Sequence, residues 1–69
     1  MCNLTGKVKE VSMGVDGIRF SLVSRDDESI AELFIEDCSE LDILQISSES
    51  GFIVTCLVND RNICEELYI

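Results

Sequence analysis

Apolar and polar residues alternate along most of the chain, and a period of two is typical of β-strands with one buried face. The apolar side chains of residues 4–8 fall on one parity, whereas those of residues 11–15 fall on the other. A one-residue change of parity moves every side chain to the opposite face of a strand. The pattern therefore predicts a long first strand with a β-bulge or sharp bend near Lys9 and Glu10.

A hairpin and a third strand are predicted to follow. The dipeptide Asp16-Gly17 indicates a tight turn, because both residues tolerate positive φ. The second strand covers residues 18–23, and a polar loop over residues 24–29 leads to a third strand over residues 30–36. In that third strand we expect Ala31, Leu33 and Ile35 to point inward and Glu32, Phe34 and Glu36 to point outward.

The middle of the chain is harder to interpret. Residues 37–46 favour one short helical turn capped by Asp37 or Ser39, with Leu41 and Leu44 facing the core, and a further strand is the alternative. The Ser-rich residues 47–51 are predicted to form a loop.

Two strands close the chain. Residues 52–58 are apolar or β-branched and carry no charge, which predicts a central strand covered on both faces. A turn over residues 59–62 and a last strand over residues 62–69 complete a second hairpin. A turn centred on Asp60 and Arg61 places Cys56 and Cys64 on opposite faces, and only a three-residue loop would set them side by side.

These elements predict an all-β fold: a single small domain over residues 1–69, built as a five- to six-stranded antiparallel barrel with at most one short helical turn. The segments Leu4 to Val11, a bent strand interrupted by Gly6, and Asp16 to Leu22 resemble the opening strands of OB-fold domains. This resemblance implies an OB-like, five-stranded Greek-key barrel.

The amino terminus carries a second resemblance. Met1-Cys2 followed by Gly6-Lys7-Val8 is similar to the start of the small hydrogenase-maturation chaperones. That resemblance implies a maturation chaperone in which Cys2 binds an iron complex. The sequence departs from the family, because Thr5 stands where the family has proline and the spacing from cysteine to glycine is one residue shorter.

Composition excludes some classes of protein. The 69 residues include 14 acidic and 5 basic side chains, for a net charge of −9, and 46% of the residues are hydrophobic. That apolar content predicts a folded domain rather than a disordered acidic tail. No apolar run approaches the roughly 18 residues of a membrane span, and the first residues lack signal-peptide features, so we expect a cytoplasmic protein.

Two absences narrow the chemistry. The chain has no histidine, which excludes imidazole as an acid, base or metal ligand. Its four cysteines, Cys2, Cys38, Cys56 and Cys64, form no Cys-x-x-Cys pair, and we expect free thiols that serve as small core residues. The sequence therefore predicts a non-catalytic binding module without a cofactor or a metal site.

The basic residues lie mainly in the first hairpin. Residues 1–25 have a net charge of +2, whereas residues 26–69 have a net charge of −11. OB domains hold single-stranded nucleic acid with basic and aromatic side chains, so nucleic-acid binding is an alternative function. Its candidate residues are Lys7, Lys9, Arg19 and Arg25. The simpler interpretation is that these cations form ion pairs with acids of neighbouring strands.

The acidic residues suggest the leading hypothesis. Residues 26–42 carry eight carboxylates and no basic side chain. The simpler interpretation is a solvated face that keeps an apolar small domain soluble. The functional interpretation is a docking surface for a protein with a basic surface, anchored by Phe34. Its candidate residues are Asp26, Asp27, Glu28, Glu32, Phe34 and Glu36.

The sequence leaves the oligomeric state open. Residues 52–58 are apolar on both parities, and residues 67–69 end the chain in an apolar strand. A domain of this size lacks the internal surface to cover every such face, so a homodimer through sheet faces or edges is as consistent with the pattern as a monomer.

Overall fold

A computed structural model describes residues 2–69 of the protein. Its elements are β1 (Cys2–Met13), β2 (Ile18–Ser24), β3 (Ile30–Ile35), a short 3₁₀ helix (Cys38–Glu40), α1 (Leu41–Ser50), β4 (Ile53–Val58) and β5 (Cys64–Tyr68). All neighbouring strands pair antiparallel in one five-stranded sheet. The predicted all-β class is confirmed.

β1 is long because it pairs with two other strands. Its first half pairs with β4, and its second half pairs with β2 as far as the hairpin turn. The register with β2 shifts between Val8 and Glu10, which confirms the predicted bulge. The predicted turn around Asp16-Gly17 is also confirmed, and the Gly14 N–H donates to the Gly17 carbonyl over 2.8 Å.

The two edges of the sheet approach each other. The strand order is β3-β2-β1-β4-β5, so β3 and β5 lie at opposite edges. The Phe34 N–H donates to the Asn62 carbonyl over 3.1 Å, and Phe34 forms a single parallel bridge with Ile63. A single bridge is not a continuous β-ladder, so the sheet is open between β3 and β5. The predicted closure into a barrel is therefore not confirmed.

The helical segment is longer than the single turn expected from the sequence. Asp37 caps the 3₁₀ helix, accepting a hydrogen bond from the Ser39 N–H over 3.0 Å, and α1 then continues to Ser50. Gly51, with a left-handed φ of 76°, ends the helix. No helix within residues 2–69 is long and apolar enough to cross a membrane.

The loop predicted for residues 47–51 is therefore wrong over residues 47–50. The local preference of serine is for turns and helix caps. Here hydrogen bonds to other parts of the fold hold Ser47 and Ser48 in the helix. The Ser47 hydroxyl accepts from the Val8 N–H over 3.3 Å and donates to the Phe52 carbonyl over 2.6 Å. The Ser48 hydroxyl donates to the Lys9 carbonyl over 3.2 Å, so α1 is attached to the bulge of β1.

The core lies inside the rolled sheet under α1. Buried apolar side chains come from every strand and from the helix: Val8, Ile18, Phe20, Leu22, Leu33, Ile35, Leu44, Val54, Cys56, Val58 and Cys64. β4 is covered on one face only, because Val54, Cys56 and Val58 are buried while Ile53 is 39% exposed. The prediction that this strand is covered on both faces is wrong.

The last hairpin has a different register from the predicted one. Asn59 and Ile63 close a three-residue loop, in which the Asn59 side chain accepts from the Arg61 and Ile63 N–H groups and Asn62 has a φ of 61°. A type I turn followed by a left-handed residue has this form. Val58 consequently pairs with Cys64, and a bulge follows in β5. Cys56 and Cys64 are both buried in the core, so their predicted placement on opposite faces is wrong.

Candidate functional site

The outward side of the sheet contains an open groove of about 810 Å³. Its walls come from β1 after the bulge, from the outward faces of β2 and β3, and from the turn between β4 and β5. The groove lies where the two sheet edges meet, so it brings residues 9–12 and 61–63 to the same surface as Phe34. We refer to this concavity as the Phe34 groove.

Phe34 forms the aromatic part of the groove wall. It is half-buried on the outward face of β3, as predicted, and lies directly opposite Arg19 on β2. Its ring packs over Gly17, where an added Cβ would lie 2.5 Å from Phe34 Cζ. Glycine is therefore required at the hairpin turn for Phe34 to occupy this position.

Three basic residues line the groove: Lys9, Arg19 and Arg61. All three side chains are exposed, and the one salt bridge within residues 2–69 joins Arg25 to Asp26, Nε to Oδ1, over 3.8 Å. The expectation that the basic residues pair with acids of neighbouring strands is therefore wrong for Lys7, Lys9 and Arg19. The three groove cations are free to contact a ligand.

The groove also contains three carboxylates: Glu10, Asp16 and Glu32. These match the three cations in number, so the wall has no excess of positive charge. Glu32 lies opposite Ser21 in the β2–β3 ladder, on the same outward face as Phe34. The groove is thus a mixed-charge surface around one aromatic side chain.

The other candidate residues lie outside the Phe34 groove. Asp26, Asp27 and Glu28 are exposed in the loop between β2 and β3, together with Arg25. Lys7 lies on the outward side of β1 opposite Ile53 of β4. The structure therefore brings together Lys9, Arg19, Glu32 and Phe34, drawn from both predicted sites, and separates them from the remaining candidates.

The loop between β2 and β3 is held by its own carboxylate. Asp27 Oδ1 accepts from the Ser29 hydroxyl over 2.7 Å and from the Ser29 N–H over 3.1 Å. Both hydrogen bonds lower the pKa of Asp27 below its ordinary value, and the bond from the Ser29 hydroxyl has the larger effect. Asp27 has a structural role in the loop, whereas Asp26 and Glu28 extend into solvent beside it.

A second, smaller cavity of about 260 Å³ adjoins the groove. Ile63 lines both cavities and separates them. The walls of the second cavity carry five carboxylates and no basic side chain: Glu36, Asp37, Glu40, Glu65 and Glu66. Glu40 Oε2 is buried and has no hydrogen-bond partner within residues 2–69. We refer to this cavity as the acidic cavity.

The cysteines divide into two exposed and two buried thiols. Cys56 and Cys64 are core residues, as expected, but Cys2 and Cys38 are exposed and do not serve the core. The hydrogen bond between the Cys56 and Cys64 thiols raises the pKa of Cys56, and burial of the Cys56 thiol raises it further. Cys2 lies at the start of β1, opposite Val58. Residues 2–69 contain no group of three or more side chains that could together hold a metal ion.

Two contributions to the groove were missed at the sequence level. Arg61 and Ile63 reach Phe34 only because the β4–β5 turn folds against the edge of β3. Sequence separation gives no hint of this contact. The signal in the sequence that could have found it is the resemblance to OB-fold domains, since closure of such a barrel would bring the last hairpin beside the third strand.

Comparisons of the chain with models of protein families, with curated proteins and with solved structures find no match.

Proposed function

We propose that the protein is a non-catalytic binding module, built on an OB-like barrel, that docks a partner protein with a basic surface against Phe34. The observation that carries this proposal is the position of Phe34: a half-buried aromatic side chain in the wall of an open groove, with the exposed Glu32 before it in β3 and the exposed Glu36 just after the end of β3. Interfaces draw most of their binding energy from a few such anchors within a polar rim.

The strand order supports the OB-like assignment. A five-stranded, partly open Greek-key barrel has its first strand between the second and the fourth, and its third and fifth strands in proximity. The order β3-β2-β1-β4-β5 and the bridge from Phe34 to Ile63 agree with that arrangement, and α1 lies between β3 and β4.

The charge distribution supports a basic partner. A segment that crosses Ile63 from the Phe34 groove enters the acidic cavity, whose five carboxylates have no basic neighbour in its walls. Lysine or arginine side chains of the partner would neutralise those carboxylates. The charge of −9 also attracts basic proteins over distances of about 10 Å at 0.1 M salt.

A pull-down from native lysate, with and without nuclease, tests the class of partner. The proposal predicts that the wild-type chain retains a protein with a basic surface after nuclease treatment. Glu32→Lys/Glu36→Lys should weaken retention, because these exposed carboxylates flank Phe34 in the groove and the acidic cavity. Asp42→Lys/Glu49→Lys makes the same change in charge at exposed positions of α1 and serves as the control. Unchanged retention by Glu32→Lys/Glu36→Lys would contradict docking beside Phe34.

Single-stranded nucleic acid is the second candidate ligand, and one observation favours it. Lys9, Arg19 and Arg61 line the groove beside Phe34, and none of them has an ion-pair partner among residues 2–69. Cations beside an aromatic platform are typical of single-strand binding. The three carboxylates of the same wall would repel phosphates, which is why a protein partner ranks first. Capture of nuclease-sensitive material that Arg19→Glu abolishes would reverse this order.

A further inference from the structure

A second surface, on the outward face of β1, β4 and β5, carries unpartnered apolar side chains. On β4, Ile53 is 39% exposed, and Thr55 and Leu57 are half-buried. Tyr68 of β5 lies opposite Thr55 and is 47% exposed, and the hydroxyls of Thr5 and Thr55 lie 3.1 Å apart. None of these side chains lines the Phe34 groove.

The charges of this face lie at opposite corners. Lys7 on β1 is opposite Ile53 at one end of β4, and Glu66 on β5 is opposite Leu57 at the other end. Both side chains are exposed, and neither has a salt bridge within residues 2–69. The face therefore has one cation, one anion and no net charge, in a chain whose net charge is −9.

We propose that this face binds a second copy of the chain and forms a two-fold symmetric dimer. A two-fold axis that lies in the interface, perpendicular to the diagonal from Lys7 to Glu66, places Lys7 of each copy against Glu66 of the other. The same rotation crosses the two β4 strands, so Ile53 of one copy lies against Tyr68 of the other. A surface that is complementary to itself in this way is what an isologous dimer requires.

Charge complementarity selects a second copy over other occupants. A basic partner would meet Lys7, and an acidic partner would meet Glu66, whereas a second copy pairs both. The face and the Phe34 groove share no residues, so the dimer leaves Phe34 of both copies open, and Glu66 is the one residue that the face shares with the acidic cavity. The dimer is measured without any partner present, so its failure and the failure of the proposed function are distinguishable.

Sedimentation equilibrium over a concentration series up to about 1 mM tests the dimer, since weak complexes have dissociation constants in this range. We expect a monomer–dimer equilibrium for the wild-type chain. Ile53→Asp should abolish the dimer, because it buries a carboxylate in the interface. Val15→Asp is the control, since Val15 is fully exposed in the hairpin turn, and it should dimerise like the wild type. Circular dichroism verifies that both variants fold.

A charge exchange tests the orientation of the two copies. Lys7→Glu alone should weaken the dimer about tenfold, because two like-charge contacts replace two attractive ones. Adding Glu66→Lys should restore most of the affinity, since both pairs are re-formed with reversed sign. A wild-type chain that stays monomeric, a dimer that Ile53→Asp leaves intact, or a double variant no tighter than Lys7→Glu would overturn the proposal.

Discussion

Ser47 of α1 accepts a hydrogen bond from the backbone N–H of Val8 over 3.3 Å, at the point where β1 bulges. The same hydroxyl donates to the Phe52 carbonyl, and its side chain is only 1% exposed. One buried hydroxyl therefore connects the end of the helix to the bend of β1 and to the start of β4.

Removal of this hydroxyl should destabilise the fold. Ser47→Ala leaves the buried Val8 N–H and the part-buried Phe52 carbonyl without their partner. The loss should cost about 1 to 3 kcal/mol in the free energy of unfolding. Ser50→Ala, at an exposed position of the same helix, should change it by less than about 0.5 kcal/mol. Urea unfolding followed by circular dichroism compares the two variants. Equal effects would show that the Ser47 hydroxyl does not connect these elements.

The thiols should react in two classes. Cys2 and Cys38 are exposed, so a disulfide-exchange reagent should modify both rapidly in the native protein. Cys56 and Cys64 are buried, and the raised pKa of Cys56 further lowers its thiolate fraction, so both should react only after denaturation. Peptide mapping identifies the modified residues. Rapid native modification of Cys56 or Cys64 would contradict the register of the last hairpin.

Two aspartates should make the fold sensitive to acid. Hydrogen bonds from Ser29 lower the pKa of Asp27 below the ordinary 3.8, and hydrogen bonds from Ser39 do the same for Asp37. In each case the bond from the serine hydroxyl has the larger effect, followed by the bond from the backbone N–H. A lowered folded-state pKa gives stability that is present above the ordinary pKa and is lost as pH falls through the folded-state value. Stability should therefore decline on acidification through this region.

The double variant Asp27→Asn/Asp37→Asn should show a smaller decline. Its control is Asp42→Asn, because Asp42 is exposed and makes no side-chain hydrogen bond within residues 2–69. Urea unfolding from neutral pH down to below 3.8 measures the effect. Identical pH profiles for the double variant and the wild type would contradict a stabilising role for the two aspartates.

Local patterns predicted the parts of the fold that local physics determines. The parity change near Lys9 revealed the bulge, and Asp16-Gly17 revealed the turn, because pleating and positive φ act over a few residues. The outward position of Phe34 followed from the same alternation. Each of these features depends on neighbours in sequence.

Features that depend on distant contacts were not predictable in the same way. The last turn of α1 depends on the Ser47 hydroxyl, which accepts a hydrogen bond from the Val8 N–H and donates one to the Phe52 carbonyl. These two bonds outweigh the preference of serine for loops. The register of the last hairpin depends on the left-handed Asn62 and on the Asn59 side chain. The candidate site was identified only in part, because Arg61 and Ile63 join Phe34 through the contact between two sheet edges.

The central claim is that a partner protein docks on Phe34, and the affinity of the captured partner for two matched variants tests it most directly. Phe34→Ala removes the proposed anchor, and Phe52→Ala removes an exposed phenylalanine outside the groove. Titration calorimetry should show that Phe34→Ala weakens binding at least about thirtyfold, as expected of an interface anchor, with little change for Phe52→Ala. Equal affinities of Phe34→Ala and the wild type, with both chains folded, would contradict the account.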